Sequence, residues 1–215
     1  GQTTFRLRHA WGELGKFGAG QTWSPFMDPD VFPNSVEYWG PNGMVFFRNV
    51  QFRWTPWSDG DSRFAVALER PGASGDGGKF EDRVELSGIT SDFDLPDLTA
   101  HYRWADDWGH VQVAGILRQI EWNDGLADQY DLSGSESGWG INLSSNYRIG
   151  PHVLRGSVVY GEGIQNYMND ATVDIGVVEN FSNPTKPIYG ESIPMLDTAA
   201  FLHLTSSETR TSPVG

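Results

Sequence analysis

Residues 98–122 read LTAHYRWADDWGHVQVAGILRQIEW, two segments of alternating character joined by the short polar turn ADDWG. In the first segment His101 and Arg103 alternate with Leu98, Ala100, Tyr102 and Trp104, residues suited to hydrocarbon. A period of two is the strand period, because successive side chains of a strand leave on opposite faces. The same pattern recurs on both sides of this hairpin. Residues 3–11 (TTFRLRHAW) place Phe5, Leu7, His9 and Trp11 on one face and Arg6, Arg8 and Ala10 on the other. Further strands are expected at 17–26, 45–55, 63–70, 138–147, 153–160 and 199–206. Tight turns at ELGK, PWSDGDS, ADDWG and RIGP alternate with long connections at 27–44, 71–97, 123–137 and 161–198. One rim that turns tightly and another that carries long loops is the rhythm of an antiparallel barrel crossing a membrane. All-β architecture, in a single barrel domain over residues 1–215, is the expectation, with short turns on the periplasmic side and long loops outside.

Composition agrees with this. The 215 residues are 38% hydrophobic and 20% charged, and no apolar run approaches the roughly 20 residues that a transmembrane helix needs. A mean hydropathy of −0.42 is no obstacle, because only every second residue of a barrel strand faces lipid. There is no cysteine, so thiolate metal sites, disulfides and thiol nucleophiles are excluded. Aromatic residues cluster beside the tight turns (Trp11, Phe17, Trp54, Trp57, Phe64, Trp104, Trp108, Tyr147) and at strand ends feeding the loops (Phe26, Phe46, Trp122, Trp139, Tyr160). Two such belts are what membrane–water interfaces select. The eight steps from Trp139 to Tyr147 rise roughly 20 Å at barrel tilt, close to the apolar band of an outer-membrane barrel.

Charge is divided unevenly. The net charge is −13, yet the four long connections hold 20 of the 28 acids and three bases, Lys79, Arg83 and Lys186. Five of the remaining acids lie in tight turns, which leaves the strand bodies cationic. An Arg facing mid-membrane lipid costs about 2–4 kcal/mol, so Arg6, Arg8, Arg53, His101 and Arg103 are expected to point into a lumen, where they favour anions. Arg48 shares parity with Phe46, Val50 and Phe52, and therefore needs either snorkelling at the loop rim or a bulge.

The run LRHAWGELGKFGAGQTWSPFMDPDVFPNSVEYWGPNG, followed by FRNVQFRWTP, resembles the opening strands of the DcaP-like porins. These are trimeric outer-membrane channels of Gram-negative bacteria associated with dicarboxylic and related anionic solutes. The resemblance is strong over residues 5–56 and looser through the later hairpins. It implies a barrel of about sixteen strands, passive diffusion of anions, a homotrimer, and inward arginines at a constriction. Arg6, Arg8, Arg48 and Arg53 are carried over from it as pore-lining candidates; His101, Arg103 and Arg118 follow from strand parity. Nine strands is an odd count for a bacterial barrel, so the chain is expected to be part of a larger one. The expected partners are the lipid bilayer, lipopolysaccharide and small anionic solutes, with no nucleic acid.

Other chemistry finds little support. No G-x-S-x-G, Walker A, H-E-x-x-H or dinucleotide fingerprint occurs, and the five His are scattered, so no catalytic residue, cofactor or metal is expected. The acidic triplets DPD, DGD and DFD are better read as solvated loop acids than as Ca²⁺ ligands. The main alternative is a soluble carbohydrate-binding or glycoside-hydrolysing β protein, in which nine Trp stack sugars and two carboxylates act on them. A third is a structural or adhesive surface barrel. The intact protein is expected to need detergent or lipid to stay in solution; a monodisperse protein in plain buffer would favour the carbohydrate alternative.

Overall fold

The computed structural model describes residues 6–33, 43–76, 86–125, 132–169, 171, 174–176, 200–201 and 213–214. Its strands are β1 (Ala10–Leu14), β2 (Phe17–Trp23), β3 (Arg48–Asp59), β4 (Ser62–Glu69), β5 (Gly75–Asp76), β6 (Thr90–Asp92), β7 (Asp97–Asp106), β8 (Gly109–Asn123), β9 (Gly134–Ile149), β10 (His152–Glu162), β11 (Ile175–Gly176), β12 (Ala200–Phe201) and β13 (Pro213–Val214). There is no α-helix among the described residues.

β1, β2, β3, β4, β7, β8, β9 and β10 follow one another in a single antiparallel sheet, in chain order. β13 pairs with the end of β10, and β6 with the end of β8. Four two-residue turns close the hairpins, at Gly15-Lys16, Gly60-Asp61, Asp107-Trp108 and Gly150-Pro151. Gly15, Gly60 and Gly150 have φ of +61°, +56° and +57°, the sign that twist-matching hairpin turns require of their first residue. β1 and β10 do not pair with each other, so the sheet does not close on itself within the described residues.

The register stacks side chains into rows that explain the alternation. Phe52, Leu68, Leu98, Leu117 and Trp139 form one row across five strands. Tyr102, Val113, Leu143 and Val158 form another. Both rows lie on a face that no described residue covers: Leu117 is 59% exposed and Val158 70%. The interleaved rows carry the polar groups and are covered over β7, β8 and β9, but not at β10, where Ser157 is exposed. Arg63, Arg103, Gln112, Ser144 and Ser157 run side by side, as do Ala65, His101, Ala114 and Asn142. His110 and Gln112 are each 1% exposed. A water-soluble sheet buries its apolar side, whereas this one bares it and covers its polar side.

Connecting segments do the covering. Phe26, Met27, Val45, Ile164, Tyr167 and Met168 pack on Ala114 and Ile116, and Ile175 packs on Ile120 and Trp122. Where these segments press closest the wall is glycine. A Cβ on Gly138 would stand 2.7 Å from the Gly163 carbonyl oxygen, and one on Gly140 2.9 Å from the Ile164 side chain.

Three expectations need correction. The first strand is β1, not residues 3–11: Arg6, Leu7, Arg8 and His9 lie outside any strand. The two-residue turn at Gly15 fixes the hairpin register, and Gly20, at φ +125°, opposes Trp11 as the ladder nears its end. Side chains then take over, Gln21 donating to the Leu7 and Arg8 carbonyls and His9 bonding to Thr22. The strand expected at 199–206 is described only at Ala200–Phe201, which runs parallel to β11 in a separate small sheet; its other residues lie outside the described ones. Of the loop-side aromatic belt, Trp139 and Tyr160 are on the bare face, 5.9 Å apart, but Phe26 and Trp122 are buried and Phe46 half-buried. Trp122 shares parity with Arg118 and Ile120, and Phe26 belongs to a segment folded onto the polar face. The turn-side belt is better preserved, with Trp57 stacked on Tyr102 and Trp108 set between Trp104 and Tyr147.

Val113 and Leu143, 47% and 48% exposed, supply the test. Val113→Arg or Leu143→Arg should each cost about 2–4 kcal/mol in urea titrations of folding into lipid vesicles. A cost within about 0.5 kcal/mol, the ordinary outcome at an exposed position in water, would contradict a lipid-facing row.

Candidate lumen site

The polar face is organised around two segments that fold onto it. The first follows β2. Each carbonyl from Pro25 to Met27 meets a different inward side chain: His101 Nδ1 donates to Pro25 (3.0 Å), Asn142 Nδ2 to Phe26 (2.9 Å) and Gln112 Nε2 to Met27 (3.3 Å). These donors come from β7, β9 and β8, so the segment lies across three strands. The Ser24 and Thr99 hydroxyls both donate to Glu69 Oε1, at 2.6 and 2.7 Å.

Asp28 ends this run and caps the short 3-10 turn Pro29–Val31, accepting from the Asp30 N–H at 3.1 Å. One Asp28 oxygen accepts from His110 Nε2 and Ser144 Oγ, both at 2.6 Å; the other lies 3.3 Å from Arg103 Nη1. Burial alone would raise this carboxyl, but the His110 and Ser144 hydrogen bonds, with the charges on His110 and Arg103, hold it below its ordinary value of 3.8. Asp30 reaches back to the other arm of Arg103, 2.6 Å from Nη2. Arg103 is thus clamped between two carboxylates of one turn.

Residues 163–169 and 174–176 form the second cover. Arg118, 4% exposed, donates to the Gly163 carbonyl (3.1 Å), to Asp174 Oδ1 (2.9 Å) and to the Gly72 carbonyl. Its Nε lies 3.7 Å from Asp97, whose Oδ2 accepts the Tyr167 hydroxyl at 2.8 Å. A buried guanidinium must be matched in this way, because the cost of stripping its water is several kcal/mol.

Near the tight turns the face is open. A hollow of about 450 Å³ is lined by Trp11, Glu13, Lys16, Arg53 and Arg63, among others. Arg53 donates to the Trp23 carbonyl (2.7 Å) and to Gln51 Oε1, and its guanidinium lies 5.0 Å from the Trp11 ring centroid. Arg63 Nε donates to His101 Nε2 at 3.1 Å, which assigns the His101 proton to Nδ1, facing Pro25. Neither Arg53 nor Arg63 makes an ion pair among the described residues.

The expected pore residues therefore divide. Arg53, His101, Arg103 and Arg118 are all on the covered face and in strands, with Arg103 and Arg118 matched by carboxylates and His101 buried. Arg6 and Arg8 precede β1 with exposed side chains. Arg48 lies at the loop end of β3, its guanidinium 4.1 Å from the Trp23 ring centroid, which answers its odd parity by a cation–π contact. Sequence reasoning passed over Arg63, Arg148 and Arg155. Arg63 shares parity with Ala65, Ala67 and Glu69, and Arg148 and Arg155 pair with Val153 and Asn146 on the same face. It also passed over the acids Asp28, Asp30, Asp97 and Asp174 as interior groups; Asp97 shares the parity of His101 and Arg103 in β7, whereas nothing in the local sequence of the other three says that their segments fold inward.

A family model described as DcaP outer membrane protein matches residues 1–168 of the chain. No curated protein matches it. Among solved structures, the outer membrane channel DcaP of Acinetobacter baumannii superposes with a TM-score of 0.64 at 18% identity, over 87% of this chain and 50% of the channel's. The chain thus spans half the length of that channel, and at this identity the likeness is one of fold.

Asp28 carries the experiment. Asp28→Asn should loosen residues 24–33 by about 2 kcal/mol, read as faster amide exchange confined to that segment. Since its folded pKa lies below 3.8, the stability Asp28 contributes is complete above that value and lost as pH falls through the lower one. Exchange in the wild type should rise on acidification below about pH 4, while Asp28→Asn shows no such step. A step retained in the variant would contradict the latch.

Proposed function

The chain belongs to the DcaP outer membrane protein family, whose place is the outer membrane of Gram-negative bacteria, and we propose that it forms part of a porin through which small anions, dicarboxylates among them, diffuse passively. The supporting observation is the pair of guanidinium groups, Arg53 and Arg63, that border the open hollow without a carboxylate partner among the described residues.

Selectivity of this kind needs attraction strong enough to replace part of a solute's hydration and weak enough to release it. Both arginines meet the second condition through their existing bonds. Arg53 is committed to the Trp23 carbonyl and Gln51, and Arg63 to His101, so each offers a passing carboxylate only its remaining N–H groups. Two separate guanidiniums suit a diacid, giving each carboxylate its own partner. Lys16 adds positive charge at the tight-turn end of the same hollow.

Two of the loop acids are withdrawn from the mouth. Asp28 and Asp174 are buried against His110, Ser144 and arginine rather than displayed at a mouth, where they would repel anions. The same burial weakens the glycosidase alternative: Glu69, Asp97 and Asp28 are engaged by Ser, Thr, Tyr, His and Arg partners beneath covering segments, not poised across a cleft. No covalent step is part of the proposed function. Assembly as a homotrimer, contact with lipopolysaccharide and a lumen lined by these arginines belong to the same proposal.

Planar-bilayer currents of the intact protein test it. Under a salt gradient the reversal potential should show anion preference, and Arg53→Ala with Arg63→Ala should shift it toward cations. Unchanged selectivity in the double variant would reject these two residues as the selective pair.

A further inference from the structure

Asp28 and Asp30 hold the same guanidinium, yet they are built differently. Asp28 has a side chain 0% exposed and four hydrogen-bonding partners. Asp30 has a side chain 52% exposed, and its ion pair with Arg103 is its only side-chain ion pair among the described residues. The first is a structural fixture. The second is a carboxylate held on the tip of a turn, open to water, at 2.6 Å from Nη2 of an inward arginine.

Position adds to this. Arg103 is the direct register partner of Arg63, one of the two arginines facing the hollow. Side chains paired across neighbouring strands stand about 5 Å apart, so two like charges there repel unless an anion sits between or beside them. Asp30 supplies that anion, and Asp28 and Asp30 both lie within electrostatic reach of Arg63. A free carboxylate arriving beside Arg63 would meet the same kind of partner at Arg103 that Asp30 now occupies; the Arg103 side chain is 9% exposed, but the Asp30 end of the pair is 52% exposed, so the exchange takes place at that open end.

We propose that Asp30 is a tethered counter-ion, which a solute carboxylate displaces from Arg103, so that Asp30 sets how strongly the channel holds anions. This rests on the porin reading above and adds the residue that tunes it. Asp28 keeps the turn in place while Asp30 swings away; the exchange requires no unfolding of the cover. The cost of displacing Asp30 is subtracted from the attraction of the solute to the Arg63–Arg103 pair, which keeps binding transient, as conduction requires.

The test uses the intact protein in planar bilayers, with succinate added to chloride and its block of the chloride current measured. Asp30→Asn should tighten the block by roughly threefold to tenfold and lengthen its dwell time, because Arg103 then has a free arm. Glu13→Gln is the control: it removes an acid from the hollow that Arg63 borders, one that accepts from Trp11 and makes no bond to Arg103, so it should change the block far less. Asp30→Asn combined with Arg103→Gln should lose the gain. Equal effects of Asp30→Asn and Glu13→Gln would overturn the inference, showing only general charge removal, as would an anion-selective channel in which Asp30→Asn changes nothing. A wild-type channel without anion preference would instead remove the porin reading itself, and this inference with it. Heat-dependent gel mobility confirms that each variant is folded, and Asp30→Glu, which keeps the charge, should restore wild-type block.

Discussion

Hydrocarbon offers no hydrogen bonds, and that constraint governs every level of this structure. A strand exposed to it must pair its backbone on both sides and turn its apolar side chains outward, which leaves the other half of its side chains no place but the interior. The rows show the result: Phe52, Leu68, Leu98, Leu117 and Trp139 on one face, and Arg63, Arg103, Gln112, Ser144 and Ser157 on the other. An interior made of polar groups cannot be closed by hydrophobic packing alone. It must be satisfied group by group.

The connecting segments do this satisfying. Residues 24–33 present carbonyls to His101, Gln112 and Asn142 and two carboxylates to Arg103; Gly163 presents a carbonyl and Asp174 a carboxylate to Arg118. Small apolar clusters then seat the covers, with Phe26 and Tyr167 edge to face over Ile116. Charge matching thus fixes which cations remain available. Arg103 and Arg118 are balanced, while Arg53 and Arg63 retain a field directed into the hollow. The arginines of the covered face thus fall into two groups: Arg103 and Arg118 hold connecting segments, and Arg53 and Arg63 border the hollow.

Much of the fold was legible in the sequence because hydrophobic alternation reports local geometry. The hairpins around ELGK, PWSDGDS, ADDWG and RIGP come where alternation breaks at Gly, Asp or Pro, and His101 and Arg103 have the inward parity read from LTAHYRW. Arg118 was placed by parity as well. The misses arose where parity carries no information. Strand β1 begins later than its alternation indicated because the turn at Gly15, not the pattern upstream, sets the register. Asp28 and Asp30 read as solvated loop acids, since contacts spanning 75 residues, as from Arg103 to Asp28, leave no local mark. Phe26 and Trp122 read as belt aromatics for the same reason: their orientation depends on a cover that only the assembled sheet can hold.

The outward orientation of the apolar rows is best tested by site-directed spin labelling. The chain has no cysteine, so single substitutions place one label each along residues 139–144 of β9 in lipid vesicles. Labels at Trp139→Cys, Ile141→Cys and Leu143→Cys should relax strongly with dissolved oxygen, which concentrates in hydrocarbon, and those at Asn142→Cys and Ser144→Cys weakly. Oxygen accessibility without this two-residue period, or with its phase inverted, would contradict a sheet whose apolar side meets lipid.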